Sequence, residues 1–243
     1  MYPDVWLRVV GIRALVILVA APPAAVQPDG QYRISLVEVA PLAPNVGAMP
    51  RLPGISATEK RINARLASID EETLAAAGAC RSQTGDGGFE LATDVVFASP
   101  DFLSITRLVN AFCAGAAHGA FFIEGVTFDM KTGGEVRWDQ LFPQHFIAEW
   151  EPHSKHGFVI GTDDLTRLYL DHAASLPVEC GQAMQSENDG WFRVWPSQGD
   201  LGLILTPAGL PHANQACADP AVLPASTLRD EGFPERLVNA FTQ

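Results

Sequence analysis

Positive charge is in short supply in this chain. Its 243 residues hold 16 Lys and Arg against 28 Asp and Glu, a formal net charge of −12. Nucleic-acid binding needs clustered Lys and Arg to neutralise phosphates, so the deficit argues against a nucleic-acid partner and an anionic membrane surface. Catalytic signatures are missing as well. No G-x-S-x-G, H-E-x-x-H, G-x-x-x-x-G-K-[ST] or G-x-G-x-x-G occurs, which lowers the expectation of an enzyme without removing it. No internal repeat and no Gly/Ser-rich linker divides the chain. What is present suffices for a core. Hydrophobic residues make up 47% and charged residues 18%, a balance that argues against overall disorder.

A long apolar run occurs at the start. Arg8 and Arg13 precede "ALVILVAAPPAAV", which closes on small residues. The run is short for a bilayer span, and Pro22–Pro23 interrupts any helix there. Residues 1–25 therefore read as a secretory signal cleaved near Ala24 to Val26, with an uncleaved anchor as the rival reading. Removal takes away two Arg and Asp4, a net +1, and leaves −13. No stable membrane insertion is expected afterwards, and the mature protein is expected in the periplasm or outside the cell.

Cysteine is scarce, and its count is even: Cys80, Cys113, Cys180 and Cys217. In an exported chain this predicts two disulfides. Four cysteines permit three pairings. The within-half pairs Cys80–Cys113 and Cys180–Cys217 are favoured. No C-x-x-C spacing supports the rival zinc site. Closing loops of this size contributes about 3–4 kcal/mol each on a chain-entropy account.

Local patterning then sets the fold class. "QYRISLVEVAPL" reads as a strand. Ser56 with Glu59 three residues on is a capping box, and Ile62, Leu66 and Ile69 form the apolar stripe of the helix it starts. Gly78 is a plausible stop. In "FELATDVVF", Leu91, Thr93, Val95 and Phe97 alternate onto one face; "SPD" turns the chain; "FLSITRLVNAFC" returns. "FFIEGVTFDM" is a third strand closed by "KTGG", and "EVRW" can return beside it. "DQLFPQHFIAEW" reads as a short helix interrupted near Pro143, and "TDDLTRLYLDHA" as a helix. "WFRVW" and "LGLIL" read as strands, and "RLVNAF" as a short helix. Strands in succession after a helix predict an α+β domain over residues 26–243, an antiparallel sheet packed against helices and stapled by disulfides.

Candidate chemistry centres on histidine. Cys113 and His118 stand close enough for a nucleophilic pair, which requires a free thiol; a disulfide would consume it, and the small residues Gly115, Ala116, Ala117 and Gly119 suit a tight corner instead. His145, His153 and His156 are the metal candidates, with Asp163 or Asp164 adding an oxygen, but "HSKH" lacks a helix-borne zinc spacing. No cofactor is expected. His172 reads as a partly buried, hydrogen-bonded residue of a helix stripe, and His212 has no obvious partner. Trp191 and Trp195 suit packing more than carbohydrate binding.

Four segments together resemble a secreted domain-of-unknown-function family found in the ectodomains of RsiV-type anti-sigma factors and in the N-terminal region of PdaC-type peptidoglycan deacetylases. They are "LPGISATEKRINARL" with Ile62–Asn63, the corner "AGAAHG" with Gly115, His118 and Gly119, "VTFDMKTGGEVRWDQLF", and "FRVWPSQGDLGLILTP". The third is the most specific, through Phe128, Asp129, Lys131, Thr132, Gly133, Leu141 and Phe142. The likeness covers about residues 50–230. Departures are Ala116 for a glycine, Gln140 within the "DLF" step, and a Tyr-poor "LPHANQACADPAVLP" where the family has a Tyr-rich segment. The resemblance implies an α+β envelope domain that binds a partner, lysozyme in one branch. The expectation is a non-catalytic binding domain for a lysozyme-like cationic protein or a peptidoglycan fragment. The alternatives are a cell-wall hydrolase using His118 or the 145–156 histidines, and a structural subunit of an envelope assembly.

Overall fold

The computed structural model describes residues 34–80, 88–149, 157–173, 176–186 and 189–242. The expected signal at 1–25, and His153 and His156, lie outside them. Helix α1 (Ala57–Cys80) leads into strands β1 (Gly88–Ala98), β2 (Phe102–Phe112) and β3 (Ala120–Asp129), an antiparallel meander. A second antiparallel sheet follows in chain order: β4 (Ile147–Glu149), β5 (Phe158–Gly161), β6 (Trp191–Ser197), β7 (Gly202–Pro207) and β8 (Ala221–Pro224). Between and after these strands come α2 (Trp138–Leu141), α3 (Asp163–His172), α4 (Val178–Ser186), α5 (Ala225–Asp230) and α6 (Glu235–Asn239). The fold class is α+β, stapled by disulfides between Cys80 and Cys113 and between Cys180 and Cys217.

Helix α1 begins as its sequence dictates. The Glu59 amide donates to Ser56 Oγ at 3.1 Å, and the Ser56 amide donates back to Glu59 Oε2 at 3.0 Å, so orphan donors at the helix start are satisfied reciprocally. Ile62, Leu66 and Ile69 bury against Leu103, Ile105, Val126 and Phe128 of the first sheet. The helix does not stop at Gly78 but runs to Cys80, whose disulfide ties its last residue to the end of β2.

The β1–β2 hairpin forms as expected, with one correction. Val95 pairs with Ile105 but Phe97 with Ser104, so Val96 is an extra residue in β1. A one-residue bulge inverts the alternation beyond it. Phe97 therefore leaves the face of Leu91 and Val95 and joins the core of the second sheet, its ring 5.1 Å from that of Phe241. Within the bulge the Val96 carbonyl accepts the Gln198 amide at 2.7 Å, which bonds the two sheets together.

The second sheet buries Phe192, Val194, Leu203, Leu205 and Leu223 against Leu165, Leu168, Tyr169, Leu228, Leu237 and Val238 of the helices. Its opposite face meets β3. A Cβ on Gly125 would stand 2.3 Å from Trp195 Cβ, so only glycine lets the sheets approach there. Two further expectations change. The segment around Ile34 to Leu42 makes isolated bridges, Val37 with Arg51 and Ala43 with Val46, rather than a strand. The "EVRW" return is one bridge, Phe128 with Glu135. Strand β4 replaces the second part of the helix expected across Pro143, and β5, β8, α4 and α5 have no counterpart among the sequence expectations, because three to nine residues carry too little periodicity to register.

Candidate functional site

The most specific sequence segment is a structural joint. Asp129 Oδ1 accepts the amides of Lys131 and Thr132, each at 2.8 Å, and closes the turn after β3. Gly133 has φ +75°, and a Cβ there would stand 2.8 Å from the Thr58 carbonyl oxygen of α1. Arg236 of α6 clasps this turn to the hairpin turn. Its Nη1 donates to Asp129 Oδ2 at 2.5 Å and its Nε to Asp101 Oδ1 at 2.8 Å, while the guanidinium sits 4.6 Å over the Phe102 ring. Burial opposes ionisation of Asp101, but hydrogen bonds from Lys131 and Arg236 outweigh it and hold the carboxyl below its usual range. Asp129 is held low in the same way by Arg236 and the turn amides. Leu141 packs partly buried, and Phe142 is core, its ring edge-on to Trp138 and Phe233.

Asn63 is structural too. Its Oδ1 accepts the Leu52 amide and its Nδ2 donates to the Leu52 carbonyl, both at 2.9 Å. At the corner, Gly115 has φ +80°, and His118 is exposed with Nδ1 3.2 Å from the Gly119 carbonyl. The Cys113 sulfur is bonded to Cys80, so it offers His118 no thiol proton, and the nucleophilic pair is overturned. His172 has both ring nitrogens engaged, by the Leu168 carbonyl at 3.0 Å and Thr227 Oγ1 at 3.1 Å. His145 is exposed on a depression of about 330 Å³ shared with Asp164, Asp171 and Glu231. Asp163 lines a different hollow of about 710 Å³ at the start of α3, where the helix dipole favours an acid without further cause. His118, His145 and His172 thus stand in different settings: the corner after β2, the depression beside α3, and the contact between α3 and α5.

A site the motifs did not announce lies where the two sheets diverge. A cleft of about 420 Å³ opens between the first half of β3 and the face of β6 and β7 turned away from the helices. Phe121, Phe122 and Ile123 form one wall; Arg193, Trp195 and Thr206 form the other. The third wall is the loop carrying Gln215, Asp219 and Pro220, pinned by the bond from Cys217 to Cys180 in α4. Alternation in β6 explains the placement. Phe192 and Val194 point to the helices, so Trp191, Arg193 and Trp195 share the other face.

Arg193 is the electrostatic centre of this cleft. Its Cζ lies 5.2 Å from the Phe122 ring centroid and 5.1 Å from that of Phe158, a cation held between aromatic faces. Burial pushes its pKa down, and Glu124 acts in the opposite sense; a guanidinium stays charged nonetheless. Its Nε is buried without a hydrogen-bond partner. Glu124 is engaged elsewhere, its Oε2 accepting Arg107 Nη1 at 3.0 Å. Burial raises the Glu124 pKa against the pull of Arg107 and Arg193.

Beyond the cleft the first sheet continues with an apolar face. Leu108 pairs with Ile123 and Asn110 with Phe121, so Leu108, Phe112, Phe121 and Ile123 lie on the face turned away from α1. They are 37–64% exposed, an apolar surface continuous with the cleft.

No protein-family model matches this chain, and no curated protein matches it. Among solved structures the chain is similar to a crystal structure of a DUF3298 family member from Bacteroides fragilis, at 13% identity over 75% of this chain and 68% of that one, with a TM-score of 0.45.

Proposed function

We propose that this chain is a non-catalytic binding domain acting outside the cytoplasm, and that it takes a cell-envelope component, such as a peptidoglycan fragment, in the cleft between its sheets. The cleft itself carries the reading. It is concave, largely apolar, walled by both sheets and a cross-linked loop, and holds a half-buried cation whose Nε is buried without a partner, the combination that small-ligand sites share. The compartment rests on two disulfides that use all four cysteines, a pattern of oxidising environments. A lysozyme-like cationic partner is the second reading, supported by the net charge of −12, which would steer such a protein toward this surface.

Titrating purified protein with soluble peptidoglycan fragments and with lysozyme, while following tryptophan fluorescence, tests both. Saturable binding of fragments that weakens in Phe121→Ser supports the cleft. Binding of lysozyme alone, falling steeply with salt, transfers the function to the acidic surface. Flat signals for both ligands overturn the proposal.

A further inference from the structure

We infer that Arg193 is the anion-recognising group of the cleft, and that its ligand is a peptide ending in a free carboxylate beside an apolar side chain. The inference rests on the cleft being the binding site, and it names the chemistry that the site selects.

The argument begins with the donors of Arg193. A guanidinium presents five N–H donors in a planar fork. Among the described residues the Arg193 side chain donates no hydrogen bond: its Nε is buried without a partner, and Glu124, whose charge acts on it, stands beyond ion-pair distance. Its neighbour Glu124 is bonded to Arg107. A buried polar group without a partner is costly unless something supplies one. The rings of Phe122 and Phe158 hold the guanidinium in place, so its fork is ordered before a ligand arrives, and a carboxylate is the anion whose two oxygens match it.

The remaining lining narrows the class. One cation serves one negative charge, and Asp219 on the loop wall opposes a second, which disfavours a phosphate. Phe121, Ile123 and Trp195 supply apolar contact, while Thr206 and Gln215 add polar groups on the same lining. A peptide uses both kinds of wall, since its amides find partners at Thr206 and Gln215 and its side chain packs on the rings. A fatty acid leaves those polar groups unpaired. About 420 Å³ accommodates a ligand of a few residues at most.

The test uses the full chain and four probes followed by tryptophan fluorescence: N-acetyl-Phe-Ala with a free carboxylate, the same dipeptide as its terminal amide, octanoate, and inorganic phosphate. The acid is expected to bind at least about tenfold more tightly than the amide, the loss of a charge-assisted hydrogen bond, and more tightly than octanoate or phosphate. Arg193→Met is expected to abolish the preference for acid over amide, and Arg193→Lys to restore part of it. Phe121→Ser, at an exposed position, is expected to weaken both dipeptides while keeping the preference. Equal affinity for acid and amide, or tighter binding of octanoate or phosphate, overturns the inference. If peptidoglycan fragments bind the cleft with no dependence on Arg193, the inference alone falls. If neither the fragments nor any probe binds, the cleft reading falls with it.

Discussion

Asn63, Gly125 and Arg236 each do one physical job that a single substitution isolates. Asn63 pairs with both backbone groups of Leu52. Asn63→Ala is expected to cost about 1–3 kcal/mol in urea unfolding, because it strands partly buried polar groups. Gly125→Ala drives a methyl group into Trp195 and is expected to cost about 1–3 kcal/mol as overpacking. Arg236 sets a pH dependence. The Asp101 and Asp129 carboxyls are held below their unfolded values, so their contribution is complete above about pH 4 and is lost as pH falls through the lowered values. Arg236→Met is expected to reduce the loss of thermal stability between about pH 4 and pH 2, measured against the parent protein. The sequence showed the motif residues Asp129 and Gly133 but not their partner, since Arg236 lies 107 residues away from Asp129. Arg193 was legible in principle, as a lone cation sharing a strand face with Trp191 and Trp195. Its meaning was not, because nothing local says that β3 faces it.

Elements with strong local signals were readable, and those set by tertiary packing were not. The capping box fixed the start of α1, and Ser56→Ala is expected to cost about 1 kcal/mol by thermal unfolding. Its end lies beyond the plausible stop at Gly78, because the disulfide and the buried Ala77 and Cys80 continue the helix past a residue of poor propensity. The bulge at Val96 has no distinguishing sequence, so strict alternation puts Phe97 on the wrong face. The second sheet engages the bulge, the Gln198 amide donating to the Val96 carbonyl. Each staple joins an element to a corner. The paired substitution of Cys80 and Cys113 by Ser is expected to cost about 2–4 kcal/mol in urea unfolding.

For the whole molecule, the arrangement that matters is two sheets in contact at Gly125 and Trp195 and divergent beyond them. Divergence leaves the apolar end of the first sheet exposed and opens the cleft around Arg193. The N-terminal apolar run and the even cysteine count carry the expectation of export, and the charge balance that of an acidic protein, whereas the cleft depends on three segments far apart in sequence. Hydrogen exchange of the intact protein with and without soluble peptidoglycan fragments tests this account most directly. The account predicts slowed exchange confined to residues 120–123, 193–195 and the 215–220 loop. Protection confined to the start of α3, or none anywhere at saturating ligand, would contradict it.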